Sequence, residues 1–275
     1  MKQTTFLNND ITMPLLGLGV YNINDERSAV TAINSAVTAG YRMIDTAPVY
    51  KNEEVIGRAI ARCWVPRRDL FIISKVWNTA QRLGDTAGAF ERSLERLQLD
   101  YVDLFLIQWP VPGCFATTWQ TLEKLLSAGK TRAIGVSNFG IRHLEALRKV
   151  SGIVPAVNQI ECHPLNVENE LIEYCKDNDI VVQAYAPLAR GAVLDEDIIC
   201  VIATKYAKTP AQIALRWAIQ KGLSVIPKSV QPDRIHTNAG IFDFEIEEED
   251  MAIIETMNRH RHFVEKPEDL RDIPF

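Results

Sequence analysis

The chain has no cysteine pair at metal-ligand spacing. Its five cysteines, Cys63, Cys114, Cys162, Cys175 and Cys200, are odd in number and form no CxxC. This argues against a zinc or iron–sulfur cluster and against a disulfide framework, and it reads as reduced thiols in a cytoplasmic protein. No apolar run approaches the roughly 20 residues needed to cross a bilayer. Met1 to Asp10 is too polar for a secretory leader, so no membrane association is expected. Basic residues are not in excess. Lys and Arg number 30 against 35 Asp and Glu, a formal charge of -5 with both signs interspersed, which argues against a nucleic-acid partner. The glycine fingerprint of a Rossmann turn is missing from the first strand–helix junction. Linkers and low-complexity stretches are also absent, so a single domain over residues 1–275 is expected.

What is present is a rhythm. Hydrophobic residues make up 47% of the chain, enough for a large core. Residues 3 to 13 read as a hairpin turning at Asn8-Asn9-Asp10. Eight strand-length apolar runs follow: Leu15–Gly19, Tyr41–Ile44, Leu70–Ser74, Val102–Ile107, Thr131–Val136, Pro155–Asn158, Ile180–Ala184 and Leu223–Pro227. Helical patterns separate them, at Glu26–Ala39 and roughly 52–62, 85–97, 116–128, 140–149, 168–178 and 210–221. Thr209-Pro210 opens the last of these and Gly222 ends it. Eight strand–helix units in a chain of this length predict an α/β fold of the closed (β/α)8 TIM-barrel type. The polar tail from Arg259 to Phe275 is expected to lie as a loop across one face.

In such a barrel the C-terminal strand ends build the active site. Asp45, Tyr50, Lys75 and Gln108 then share one mouth. An ammonium beside a phenol is expected to lower the phenol's pKa, with the carboxylate orienting the ammonium. The phenol becomes a proton donor for a reaction that loads charge onto oxygen, such as hydride delivery to a carbonyl. The hydride calls for a nicotinamide, because no side chain supplies one. Ser137, Asn138 and Gln159 end neighbouring strands and suit a carboxamide, and Tyr185 suits a stacked ring. Lys228, Ser229 and Arg234 read as an anion site. Pro232 places Arg234 in the first turn of a short helix, suited to a ribose 2′-phosphate.

These residues resemble the aldo-keto reductases, most closely the bacterial 2,5-diketo-gluconate reductase and prostaglandin F synthase branch. The resemblance spans nearly the whole chain and rests on GYRMIDTAPVYKNE, LFIISKVWN, YVDLFLIQWP, RAIGVSNF, VNQIECHPL, KTPAQIALRW and IPKSVQPDRI. It implies a barrel whose N-terminal hairpin closes the bottom, which binds NADPH, reduces small carbonyl compounds and is commonly monomeric. By position it implies Tyr50 as proton donor, with Lys75 and Asp45 tuning it. Ser137, Asn138 and Gln159 would hold the nicotinamide amide, Tyr185 would stack on the ring, and Lys228, Ser229, Val230 and Arg234 would hold the 2′-phosphate side. Asn238 would contact adenine. Tyr21, Trp77 and Trp109 would wall the substrate pocket. One departure stands out: the family's His-Trp-Pro reads Gln108-Trp109-Pro110 here. A glutamine amide donates to a carbonyl oxygen but does not titrate. Relatives with Glu at this place reduce carbon–carbon double bonds and others with Asn are channel subunits. Slowed carbonyl reduction, reduction of activated C=C bonds and an NADPH-binding sensor therefore all stand as readings.

Blander readings compete. Asp45 and Lys75 alone would make a structural ion pair, and Lys75 alone would serve an aldolase Schiff base. His163 beside Cys162 has no second ligand pair and reads as structural, so no metal is expected. His260 and His262 read as solvated. The acidic run Glu245–Asp250 reads as a helix start.

Overall fold

The computed structural model describes residues 3–271. The parts of the expected domain and tail at residues 1–2 and 272–275, with Pro274 and Phe275, lie outside the described residues. The described residues form ten strands: β1 Thr4–Phe6, β2 Thr12–Pro14, β3 Gly17–Gly19, β4 Met43–Asp45, β5 Phe71–Val76, β6 Val102–Ile107, β7 Thr131–Ser137, β8 Val157–Glu161, β9 Val181–Tyr185 and β10 Ser224–Val225. Strands β3 to β10 form one parallel sheet in sequence order. Parallel bridges Leu16–Val225 and Gly19–Lys228 join its two ends, so the sheet closes on itself as the expected (β/α)8 barrel. The helices between strands are α1 Glu26–Thr38, α2 Glu53–Ala61, α3 Asn78–Arg82, α4 Thr86–Leu97, α5 Phe115–Ser127, α6 Ile141–Arg148, α7 Asn169–Asp177, α8 Asp197–Lys205 and α9 Pro210–Gln220, followed by α10 Pro232–Ala239 and α11 Glu248–Glu255. No described helix is long and apolar enough to cross a membrane.

The alternation of strand side chains sorts the core into two layers. Ile44, Ile72, Phe105, Val136 and Val182 point outward to the helices. Met43, Ile73, Leu104, Ala133 and Val157 fill the lumen. The antiparallel β1–β2 hairpin caps the lumen's N-terminal end. Its Leu7 and Met13 join the lumen cluster. Its tip is tied down by Asn9 Nδ2 donating to Arg132 O at 2.9 Å and Asn8 Nδ2 to Pro155 O at 3.3 Å. This floor leaves the opposite end open as the mouth.

Several boundaries differ from the sequence expectation. The sixth barrel strand is Val157–Glu161, not Pro155–Asn158, because Pro155 has no N–H to give a ladder. The third reaches Val76, which places Lys75 inside the strand rather than past its end. The last shrinks to Ser224–Val225 before Pro227. Helices α3 and α8 were missed: α3 has only 5 residues, and α8 is rich in β-branched Ile and Val, which blurs a helical signal.

Gly135 on β7 marks how tightly the barrel is packed. A Cβ there would lie 2.5 Å from Val157 O and 2.8 Å from a Leu106 methyl. Gly135→Ala should therefore lower unfolding free energy by about 1–3 kcal/mol. A urea midpoint equal to that of the native chain would contradict this packing.

Candidate active site

Inward alternation along β4 and β5 points Asp45 and Lys75 at each other across the lumen's open end. They are 2% and 1% exposed. Lys75 Nζ donates to both Asp45 carboxylate oxygens at 2.7 Å and to Thr46 O at 3.1 Å. An isolated buried ammonium would be prohibitive. The bidentate carboxylate and the backbone carbonyl together satisfy its three donors. Burial draws the Lys75 pKa down, and Asp45 works against that pull.

Tyr50 reaches this pair from a tight turn. Pro48–Tyr50 forms a 3-10 turn with proline at its start, and Lys51 closes it in the left-handed region at φ 55°. The turn is braced on both sides. Asn52 Nδ2 donates to Val20 O at 2.8 Å and to Ile23 O at 3.0 Å, fixing the loop that carries Tyr21. Buried Glu53 accepts from Ser74 at 2.8 Å and from Arg96 at 2.6 Å, locking α2 to β5 and α4. The half-buried Tyr50 ring meets Tyr21 edge-on at 5.1 Å, and Lys75 Nζ lies 5.4 Å from the Tyr50 ring centre.

The expected acidification of this phenol is overturned. Tyr50's pKa is raised well above 10.0, first by desolvation and then by the charge of Asp45 and by Tyr185 and Tyr21. The carboxylate clasping Lys75 cancels the attraction the bare ammonium would exert. The phenol holds its proton firmly.

The other strand ends form one hydrogen-bonded chain. Ser137 Oγ donates to Gln159 O at 2.8 Å. Asn138, at φ 63°, donates to Gln108 O at 2.9 Å and to Ser137 Oγ at 3.1 Å. The Tyr185 hydroxyl donates to Asn138 Oδ1 at 2.7 Å. Gln159 Nε2 donates inward, to Asp45 Oδ2 and to Gln183 Oε1, each at 2.7 Å. The Gln108 side chain is 8% exposed and its Oε1 is buried without a partner. Trp109 is buried, its carbonyl accepting from Gln81 Nε2 at 3.0 Å, while Trp77 is half-buried and Tyr21 is 46% exposed.

A second cluster lies beyond β10. Lys228 and Arg234 are exposed, Ser229 and Asn238 are buried, and Val230 packs partly on the core. Arg234 sits in the first turn of α10, whose leading residue is Pro232. Neither cation has an ion-pair partner among the described residues, and a helix start with cations near it suits a phosphate.

The tail crosses the mouth as a strap. Glu161, at the end of β8, accepts from Phe263 N at 2.6 Å and Val264 N at 3.3 Å, and bonds His262 at 3.1 Å and buried His163 at 3.3 Å. His262 is thus tied to a carboxylate, not merely solvated. Farther on, Asp269 pairs with Arg82 on α3 at 2.9 Å. Strap and barrel enclose a cleft of about 540 Å³ lined by Trp109, Asn138, Phe139, Tyr185, Val264 and Lys266, among others. No group of described residues is arranged to hold a metal ion. Glu161 and Gln183 had no assigned role in the sequence reading. Counting in steps of two, back from Tyr185 and forward from Gln159, would have pointed both inward.

Comparison with known proteins gives a consistent answer. The family model described as "Aldo/keto reductase family" matches residues 15–259. A glyoxal reductase of Bacillus subtilis is 47% identical, with 98% of each chain covered. A methylglyoxal reductase of Yersinia pestis is 44% identical over 93% of each chain. Among solved structures, an aldo-keto reductase from a deep-sea metagenome library superposes with a TM-score of 0.91 at 41% identity, covering 96% of this chain and 99% of that one.

Two outcomes follow from the geometry. Lys75→Met should destabilise by about 3–5 kcal/mol by stranding a buried carboxylate, whereas Lys75→Met with Asp45→Asn should cost less than the single change. Additive losses in denaturant titrations would sink the pairing. Burial pushes the Glu161 carboxyl up, but His163, the Phe263 N–H and His262 outweigh this and hold it below its ordinary 4.5. A depressed carboxyl stabilises above its unfolded pKa, and that support drains away as pH falls below about 4.5. The Phe263 and Val264 amides should lose hydrogen-exchange protection in that window, and Glu161→Gln should flatten the dependence.

Proposed function

The chain belongs to the aldo/keto reductase family, and from that premise we propose that it reduces small aldehydes and ketones, dicarbonyls among them, with NADPH. Two relatives named for glyoxal and methylglyoxal reduction support the dicarbonyl choice. The observation that carries the reading is the buried Lys75–Asp45 clasp at the barrel mouth with the Tyr50 phenol beside it.

The residues present fit the cofactor. The exposed cations Lys228 and Arg234 at the start of α10, with Ser229, would hold the 2′-phosphate, and buried Asn238 the adenine. Ser137, Asn138 and Gln159 offer amide and hydroxyl groups to a carboxamide beside the Tyr185 ring. A bound dihydronicotinamide supplies hydride.

The protein's own part is the proton. Reduction needs a donor that is still protonated when the carbonyl oxygen begins to gain charge. A phenol with a raised pKa meets that need across neutral pH. Lys75 and Asp45 then act through position and dipole: the pair is rigid, already desolvated, and its ammonium end lies on the phenol's side. Gln108 brings to the same region an amide whose oxygen has no partner, and a half-turn of that amide presents N–H to a carbonyl oxygen. Because this amide cannot titrate, activated C=C bonds form the second substrate class to assay.

Loss of NADPH absorbance against a panel of glyoxals, simple aldehydes, ketones and enones tests the proposal. Tyr50→Phe should lower kcat by about 10²- to 10⁴-fold and leave NADPH affinity nearly unchanged. Gln108→His should raise kcat for aldehydes. Arg234→Ala should weaken NADPH, but not NADH, by roughly ten- to a hundredfold. A chain that binds NADPH yet turns over none of the panel would refute carbonyl reduction in favour of a sensor.

A further inference from the structure

Strand register sets four lumen side chains in a row. Ser137 pairs with Gln159, Gln159 with Gln183, and Gln183 with Ser224, each on the next strand. A hydrogen-bond chain runs from there to the floor. Ser224 Oγ donates to Pro14 O of the hairpin at 3.3 Å. Gln183 Nε2 donates to Ser224 Oγ at 3.2 Å and to Met43 Sδ at 3.4 Å. Gln183 Oε1 accepts from Gln159 Nε2, which also donates to Asp45 Oδ2. Gln183 and Ser224 are wholly buried and Gln159 nearly so, which keeps bulk solvent from competing for these bonds.

The polarity of this chain follows from its ends. A backbone carbonyl has no hydrogen, so the Ser224 hydroxyl proton is committed to Pro14 and its oxygen must accept. Gln183 therefore turns its nitrogen to the floor and its oxygen to Gln159. Gln159 must then present its nitrogen. At the other end the ammonium of Lys75 can only donate, so Asp45 is an acceptor on every side. Reversing the Gln183 amide would set N–H against N–H and oxygen against oxygen.

We propose that Gln183, more than one residue away from any reacting atom, is a positioning residue that fixes which edge of the Gln159 amide faces Asp45 and which faces the mouth. The inference rests on the carbonyl-reductase reading. With its nitrogen spent on Asp45 and Gln183, Gln159 keeps only its oxygen for a ligand. That edge accepts from the NH₂ of a carboxamide, and so sets how the nicotinamide lies against Tyr50. Loss of the Gln183 acceptor frees Gln159 to rotate, disturbing the Asp45–Lys75 clasp and the cofactor's pose together.

Gln183→Met keeps shape and removes the acceptor, and Gln183→Glu is the conservative variant. A protonated Glu reproduces the amide: its carbonyl oxygen accepts from Gln159 and its O–H donates to Ser224. The ionisable groups facing it are Asp45 across Gln159, with Lys75 and Tyr50 beyond; Met43 and Ser224 are neutral. Gln183→Met should lose kcat on the order of tenfold with the carbonyl KM nearly unchanged. Gln183→Glu, whose side-chain oxygen accepts from Gln159 in either protonation state, should keep kcat closer to native than Gln183→Met does. Independently of turnover, the side-chain amide protons of Gln159, read by ¹⁵N NMR, should show one hydrogen-bonded proton released in Gln183→Met. Unchanged Gln159 amide shifts in folded Gln183→Met overturn the inference. Should that variant not fold, Gln183→Leu also removes the acceptor, and unchanged Gln159 amide shifts there overturn the inference. If the native chain reduces nothing, the functional reading fails, and the Gln159 spectra still decide the positioning role.

Discussion

A charge pair taken fully out of water is the constraint around which this barrel is built. Lys75 and Asp45 face each other at 2.7 Å with almost no exposure. Neither could be there alone, since a lone buried charge costs several kcal/mol. Their pairing demands that two strands hold a set register, that no water enters from below, and that every remaining lone pair finds a donor. The hairpin floor, the lumen hydrocarbon and the Gln159–Gln183–Ser224 chain each answer one of those demands.

The same pair sets the character of the phenol above it. An unpaired ammonium would pull Tyr50 toward phenolate. A clasped one leaves desolvation in charge and keeps the hydroxyl protonated. The strap across the mouth is organised by a second buried carboxylate, Glu161, which gathers two histidines and two backbone N–H groups. One acid holds the lumen's ammonium and the other holds its lid in place, on β4 and β8 respectively.

Much of this was legible in one sequence. Eight apolar runs ending in polar residues were enough for the barrel, because a parallel strand covered on both faces must be apolar and its only wet end is the mouth. Asp45, Lys75, Ser137 and Gln159 stood out as polar residues closing such runs. What escaped were features without a local period. Helix α3 is a little over one turn long. Gln183 sits between apolar neighbours and gives no sign of its lumen partners Gln159, Ser224 and Met43, which lie 24, 41 and 140 residues away. His262 looked solvated because its carboxylate partner lies 101 residues back in the chain.

Sequence alone determined the order of the barrel strands, the polar residues at most strand ends and the family resemblance, since these depend on patterns of spacing that survive without coordinates. Only the tertiary structure decided the sign of the Tyr50 pKa shift, the orientation of the Gln159 amide and the anchoring of the tail. Each of those depends on which distant groups meet in a space closed to water, where a single carboxylate reverses what an isolated neighbour would do.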